Sequence, residues 1–339
     1  MQGIKRHLGS ELESWENIEQ NFRRSEILIG NGASCAIWDK FRYSSLYQQA
    51  LSNSNHPLSG WDIQLFTDWE SNGNFEKVLA NLLITKKTNT ILGQPNDSEI
   101  QKLIRERYNN VRNALVEAVQ KIHVLWSDVS PDIFNSIQKA LSKYRCIYST
   151  NYDLLIYWAI MSNCTPFKDY FWNCKKTFDI TDTEIRNNPT RVLYLHGALH
   201  LYRESGRTKK LGNEAGKNIL EQFEALWDIE NNVTPVFIAE GSSREKLESI
   251  YKSDYLSFAY SEFQKHKESL VVFGHSLGES DQHLINAMKA ANINKIAISM
   301  MQPMSFWSSN KQQITKIFNW CWSLPFKDGN MSPNHMKLT

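Results

Sequence analysis

Apolar residues fall along this chain in two textures. From Trp61 to about Tyr144 they recur at helical spacing. Ile100, Leu103, Ile104, Tyr108, Val111, Leu115, Val119 and Ile122 predict one long helix over Asp97–Trp126. Phe75–Leu83 is a shorter amphipathic piece with Asn74 as N-cap, and Pro131–Lys143 is another helix. Elsewhere the apolar residues form short, nearly continuous runs: Glu26–Gly30, Cys146–Thr150, Val192–His196, Pro235–Glu240, Leu270–Gly274 and Lys295–Ser299. A strand that is apolar on both faces belongs inside a parallel sheet covered on both sides. Helical stretches at 35–51, 153–161, 244–266 and 281–292 fit between the runs. The pattern predicts an α/β fold: an open parallel Rossmann-like sheet flanked by helices, with a mainly helical insertion. It divides residues 1–339, taken as one domain, into a core (22–51 and 145–305), an insertion (52–144) and a C-terminal helix and tail (306–339).

Composition narrows the function classes. The 38 Lys and Arg nearly balance the 36 Asp and Glu, for a net charge of +2, which argues against nucleic acid as an obligatory partner. No apolar run reaches the ~18–20 residues that span a bilayer, so no membrane association is expected. The opening MQGIKRHLGSELESWENIEQ has no apolar core of the secretory kind. Five scattered cysteines (Cys35, Cys146, Cys164, Cys174, Cys321) form no C-x-x-C pair, which speaks against a zinc ribbon or thioredoxin-type site and for a reducing cytoplasm. Eleven tryptophans, among them Trp38, Trp61, Trp69, Trp126 and Trp158, read as bulky packing between helices. The basic stretch Arg203–Lys210 reads as a solvated loop.

In an open parallel sheet ligands bind beyond the carboxyl ends of the strands, so the residues just after each run carry the candidate chemistry. Gly30-Asn-Gly-Ala-Ser-Cys35 follows the first run. It is either a plain tight turn or a place where backbone meets a phosphate; the third glycine of a dinucleotide fingerprint is replaced by Cys35. Ser149-Thr-Asn-Tyr-Asp153 follows the second, where Asn151 and Asp153 serve as helix caps or face a ligand. His196-Gly197 follows the third, a histidine at a turn or one placed for proton transfer. Gly274-His-Ser-Leu-Gly278 and then Glu279-Ser-Asp281 follow the fifth.

The order GNGAS, STNYD, HG, FGHSLGESD resembles the sirtuin (silent information regulator 2-like) family over about residues 26–300. The phrases NFEKVLANLL, IAEGSSREKLESIYKSDYLSFAY and FGHSLGESDQHL are similar to a bacterial, zinc-less branch of mostly unknown function. The resemblance implies that Gly30, Gly32, Ala33 and Ser34 wrap the NAD+ pyrophosphate. It implies that Asn151 faces the nicotinamide ribose and orients substrate or water, and that Asp153 contacts the carboxamide, with Tyr152 in place of the usual Ile. His196 would be the general base toward a ribose hydroxyl. Gly274 and Ser276 would line the phosphate and ribose side, with His275 for the usual Thr, and Asp281 would cap the next helix or touch the adenosine end. Neither the four-cysteine zinc module nor the Gly-Ile-Pro-Asp-Phe-Arg segment of the deacylases is present, which puts acyl-lysine recognition in doubt. The implied activity is an NAD+ glycohydrolase of antiphage defence that needs no zinc, with NAD+ as substrate, a homo-oligomer and a gating partner protein.

Three other readings compete. Gly274-His-Ser-Leu-Gly278 matches the G-x-S-x-G elbow of serine hydrolases, with Ser276 as nucleophile, but Ser280 reads as the next N-cap and few triad partners follow. His196 and His200 have the spacing of a helical zinc pair, but Gly197 stands where a glutamate would. A non-catalytic NAD-sensing module, or a deacylase, would use the same strand ends.

Overall fold

A computed structural model describes residues 14–299, apart from 43–45, 70–72, 174, 183–188, 213–218, 220–221, 223–232, 239–240 and 268. The expected C-terminal helix and tail at 306–339 lie outside the described residues.

Six strands form one parallel sheet: β1 (Glu26–Ile29), β2 (Cys146–Ser149), β3 (Phe167–Lys168), β4 (Thr190–Tyr194), β8 (Ser269–Phe273) and β9 (Lys295–Ile298). Their order is β3-β4-β2-β1-β8-β9. β1 and β2 are buried at every position, as double-sided strands must be. The chain leaves β1 toward β2 and β4 on one side and returns toward β8 and β9 on the other. That reversal opens a crevice at the carboxyl ends of β1 and β8. The short β3, only two residues long, carried no usable sequence signal.

The chain between β1 and β2 is helical: α2 (Asn31–Cys35), α3 (Leu46–Leu51), α4 (Gly60–Asp68), α5 (Phe75–Ile91), α6 (Glu99–Ile122) and α7 (Pro131–Leu141) follow the short α1 (Trp15–Ile18). Ser98 caps α6 and Asn74 caps α5 through their side chains. The helices bury a second apolar cluster, built on Tyr108, Val111, Leu115 and Phe134, beside the sheet's own. Trp158, in α8 (Leu155–Ser162), is part of it. Trp61 is 68% exposed and Trp126 48%, so these two do not fill the interior as expected. No helix among the described residues is long and apolar enough to cross a membrane.

Three strands depart from the sequence reading. The run at 235–240 does not enter the parallel sheet. It forms β7 (Val233–Phe237), antiparallel to β5 (Gly197–Glu204) in a separate sheet of order β6-β5-β7. Pro235 is the physical reason: lacking an N–H, it suits an edge strand, which β7 is. The stretch expected as a loop at 203–210 is the β5–β6 hairpin, β6 being Arg207–Lys210, and its turn puts Ser205 (φ 50°) and Gly206 (φ 81°) in the left-handed region. The helix expected at 244–266 is two, α9 (Ser243–Lys252) and α10 (Asp254–Gln264), broken where Ser253 caps the second. α11 (Gln282–Ala290) lies between β8 and β9.

Candidate active site

Ile29 ends β1 and Gly30 turns the chain into α2. The segment after β8 lies directly on this turn. Gly30 N donates to Phe273 O (2.9 Å) and Gly32 N to Gly274 O (2.7 Å). A Cβ on Gly30 would come within 2.6 Å of His275 Cα, and one on Gly32 within 2.8 Å of Gly274 O. Gly274 has φ +65°, and its own Cβ would meet Ala33 N at 2.4 Å. The three glycines therefore interlock two backbone segments, with Gly274 and His275 lying over the Gly30 and Gly32 turn.

Ser34, on α2, reaches across to the end of β2. Its hydroxyl donates to Asp153 Oδ2 (2.6 Å) and accepts from Asn151 Nδ2 (2.8 Å). A hydroxyl has one hydrogen to give, so this pattern fixes the Asn151 amide with Nδ2 toward Ser34. Asn151 Oδ1 then points away, buried and without a hydrogen-bond partner. Asp153 Oδ1 accepts from Leu155 N (2.9 Å), so Asp153 steadies the start of α8 as well. His123, just past α6, holds the same turn: its Nε2 accepts from Leu154 N (2.9 Å) while Nδ1 donates to Val124 O (2.7 Å). That arrangement needs a neutral ring, and burial pushes His123 below the ordinary imidazole range.

β2 and β4 pair with Ser149 opposite Tyr194, so Asn151 and His196 each lie two residues past the same rung. His196 is 3% exposed. Its Nε2 faces His283 Nε2 at 2.8 Å. His283, on α11, is held in turn by Ser243, whose Oγ accepts from His283 N (2.7 Å) and meets Nδ1 (3.2 Å). Tyr260 OH donates to His283 O (2.8 Å). Asp281 stands at the N-cap position of α11 but makes no side-chain cap bond. Its carboxylate accepts from Lys246 Nζ (2.8 Å) and lies 3.9 Å from His275 Nε2.

Burial pushes His196 well below the usual imidazole range, and the Lys246 charge adds to it. Burial likewise brings His283 down to about 4. For Asp281 burial works against ionisation, yet His196, Lys246 and His275 around it hold the carboxyl down at about 2. Both histidines are thus neutral bases at neutral pH, one donating and the other accepting the bridging hydrogen.

His196, Asp281 and His283 also bring their ligand atoms within 4.8 Å of one another. Two features speak against a metal as the purpose of this arrangement. The ring centroids are 5.1 Å apart, which is the 2.8 Å gap plus a ring radius at each end. The two nitrogens stand at hydrogen-bond distance, closer than the ~3.3 Å between two nitrogens that each sit about 2.0–2.1 Å from a tetrahedral ion. Lys246 also occupies the Asp281 carboxylate.

The depressed histidines have a measurable consequence. An unfolded His283 titrates near 6.5 and the folded one at about 4, so between these values the unfolded chain binds more protons. Stability present above about pH 6.5 is therefore lost as pH falls toward 4. His283→Gln should flatten that decline by up to about 1.4 kcal/mol per pH unit in denaturant titrations. An unchanged slope would contradict the neutral pair.

The expected residues fall into two adjoining groups: Ser34, Asn151 and Asp153 in one, His196 and Asp281 in the other, joined where His275 lies on Gly30. Ser276 stands apart and exposed. No elbow forms there: left-handed backbone falls on Leu277 (φ 49°) rather than Ser276, and helix begins only at Glu279. Ser280 is not a cap, that place being taken by Gly278 and Asp281. His200 is not with His196 but stacks on Tyr157 with centroids 4.4 Å apart. Sequence reasoning placed none of Ser243, Lys246, His123 or His283 beside the strand-end residues. The pattern Asp281-x-His283 opening a helix just after a strand-end loop was the available signal.

A parallel sheet with polar groups gathered beyond β1, β2, β4 and β8 defines a Rossmann-like α/β protein. Within that class the chain belongs to the family of DUF4917, a domain of unknown function, which it matches over residues 27–329. No curated protein matches it.

Proposed function

We propose that the protein hydrolyses the N-glycosidic bond of NAD+, releasing nicotinamide and ADP-ribose. The observation that carries this reading is the orphaned Asn151 Oδ1 at the strand end next to His196. A buried acceptor left unmade costs about 1–3 kcal/mol, which a substrate hydroxyl or a water would recover by donating to it. Cleavage breaks the bond between ribose C1′ and the nicotinamide nitrogen. The electron pair leaves with the nitrogen, neutralising the pyridinium, and C1′ becomes oxocarbenium-like until water adds and gives up a proton to the solvent.

Two neutral groups suit that transition state. Asn151 Oδ1 accepts a hydrogen from the incoming water and aims its lone pair at C1′ without adding charge. His196 takes up a proton from a ribose hydroxyl, raising electron density at the ring. In the tautomer with hydrogen on Nε2, His196 donates to His283 and keeps the lone pair on Nδ1; His283 then passes its own hydrogen to Ser243 Oγ. The Ser243–His283–His196 chain can move a proton without ever holding two charged rings. Asp153 and Ser34 set the Asn151 amide, and Lys246 with Asp281 keeps a net-neutral pair beside the histidines.

Asn151 and His196 are both buried, so substrate gains access only when the site opens. A covered resting state suits an NAD+ hydrolase of antiphage defence, whose unchecked turnover would exhaust its host. Opening by self-association or by a partner protein is the matching control. The site asks for NAD+ as substrate and for no zinc.

The test is incubation of purified protein with NAD+, alone and with candidate partners, followed by chromatography for nicotinamide and ADP-ribose. Asn151→Ala should reduce release by about 10²–10³-fold, the loss typical of one transition-state contact, with the melting curve preserved. Full release by that variant, or binding of NAD+ with no release under any condition, would overturn the reading.

A further inference from the structure

The opposite end of the sheet holds a second, unrelated concentration of chemistry. A cleft of about 1100 Å³ opens at the amino ends of β1, β2 and β4. Six cationic side chains line it: Arg24, Lys143, Arg145, Arg191, Lys265 and Lys267. Among the described residues three carboxylates do, those of Glu26, Asp182 and Glu262. Lys143 is taken up by Glu19 outside the cleft (2.7 Å). With that pair set aside, five lining cations face three lining carboxylates.

The inner wall is a built network. Glu26 is 2% exposed and is held by Arg145 Nη2 (2.8 Å), by Arg191 Nη2 (3.7 Å) and by His266 Nδ1. Arg191 also reaches Glu262 (3.0 Å). His266 is 3% exposed, and its other nitrogen, Nε2, is buried with no hydrogen-bond partner. The outer wall differs. Arg24 and Lys267 are exposed cations with no carboxylate against them among the described residues, and Arg24 sits at φ 58°, left-handed backbone that a non-glycine residue adopts only at a cost of about 1–3 kcal/mol. Tyr144, Tyr170 and Phe258 add aromatic side chains to the lining.

We infer that this cleft binds a nucleoside diphosphate. The volume exceeds what a single phosphate fills and lies just above the range of small-molecule sites, roughly 300–1000 Å³. An excess of two cations asks for a ligand with two or more negative charges, and guanidinium groups favour phosphate oxygens. The aromatic lining suits a base, and the unmade His266 nitrogen suits a polar group on the ligand. The site is separate from Asn151 and His196: β1, β2 and β4 run from this cleft to that end of the sheet, so occupancy here is read without reference to turnover.

The experiment uses the full chain and ADP as the probe. Calorimetric titration of ADP should show binding that weakens at higher salt. Arg24→Glu with Lys267→Glu, two exposed positions, should weaken it by at least about tenfold, since each reversal removes one charge contact and adds a repulsion. Amide hydrogen exchange should slow on ADP addition in the peptides around 24–26 and 144–146. No binding at millimolar ADP would overturn the inference. So would an affinity unchanged by the double variant, or protection confined to 30–34 and 274–278, which would place ADP in the other crevice instead.

Discussion

His196→Ala is expected to lower kcat for nicotinamide release by about 10²–10⁴-fold, the range for a positioned general base, while KM changes little. The expectation rests on position and charge state. His196 stands at the end of β4, level with Asn151, buried and kept neutral, with its second nitrogen engaged by His283. His283→Ala is the informative companion. It leaves His196 in place but removes the partner that fixes its tautomer, so activity should fall by less, and the pH profile of kcat should shift as His196 loses its neighbour. Single-turnover chromatography measures both, and circular dichroism melts check the fold. Activity of His196→Ala equal to the unaltered protein would remove the residue from the mechanism. An equal loss in both variants with an unshifted profile would mean that the pair acts through structure alone.

Gly197→Ala should be the most destabilising single methyl addition at the site. Gly197 has φ +74°, and a Cβ there would come 2.0 Å from Val236 O, a backbone atom of β7. Strain at a left-handed position and overpacking each contribute about 1–3 kcal/mol, so a loss of about 2–6 kcal/mol is expected. Against a typical total of about 5–15 kcal/mol, that brings the chain near its unfolding threshold. Gly206→Ala is the control: it has a similar φ of +81° but open space around its Cβ, so about 1 kcal/mol should be lost. Thermal and denaturant melts of the two variants separate the clash from the backbone strain. Equal losses would show that β7 yields to the methyl, and the close β5–β7 approach would then not explain the glycine after His196.

Local patterning carried the sheet. The runs at Glu26, Cys146, Val192, Leu270 and Lys295 are apolar on both faces, and a strand of that kind has no stable place except between neighbours under helices. Burial on both faces is a property of the residues themselves, so it was legible without any partner. The same holds for the long α6 periodicity and for the strand-end rule that pointed to Ser34, Asn151, Asp153, His196 and Asp281. The run at Pro235 shows where such reading stops, since apolar character makes a strand but does not say which sheet receives it. The proline's missing N–H and the pairing with β5 decided that.

Much of the site's chemistry was likewise a matter of meeting. His283 lies 87 residues beyond His196, and only the return of the chain through α11 sets their nitrogens 2.8 Å apart. Lys246 reaches Asp281 across 35 residues, and His123 reaches the turn at Leu154 across 31. Trp61 is as apolar in the sequence as Trp158, yet one is exposed and the other buried, because no neighbour among the described residues covers the helix that presents Trp61 on that side. By itself the sequence determined the five long strands of the parallel sheet and the long helix α6, since hydrophobic period is local. The tertiary structure alone decided which polar groups share a hydrogen, which nitrogen is left neutral and which amide oxygen is left unpaired, because each depends on atoms brought together from distant parts of the chain.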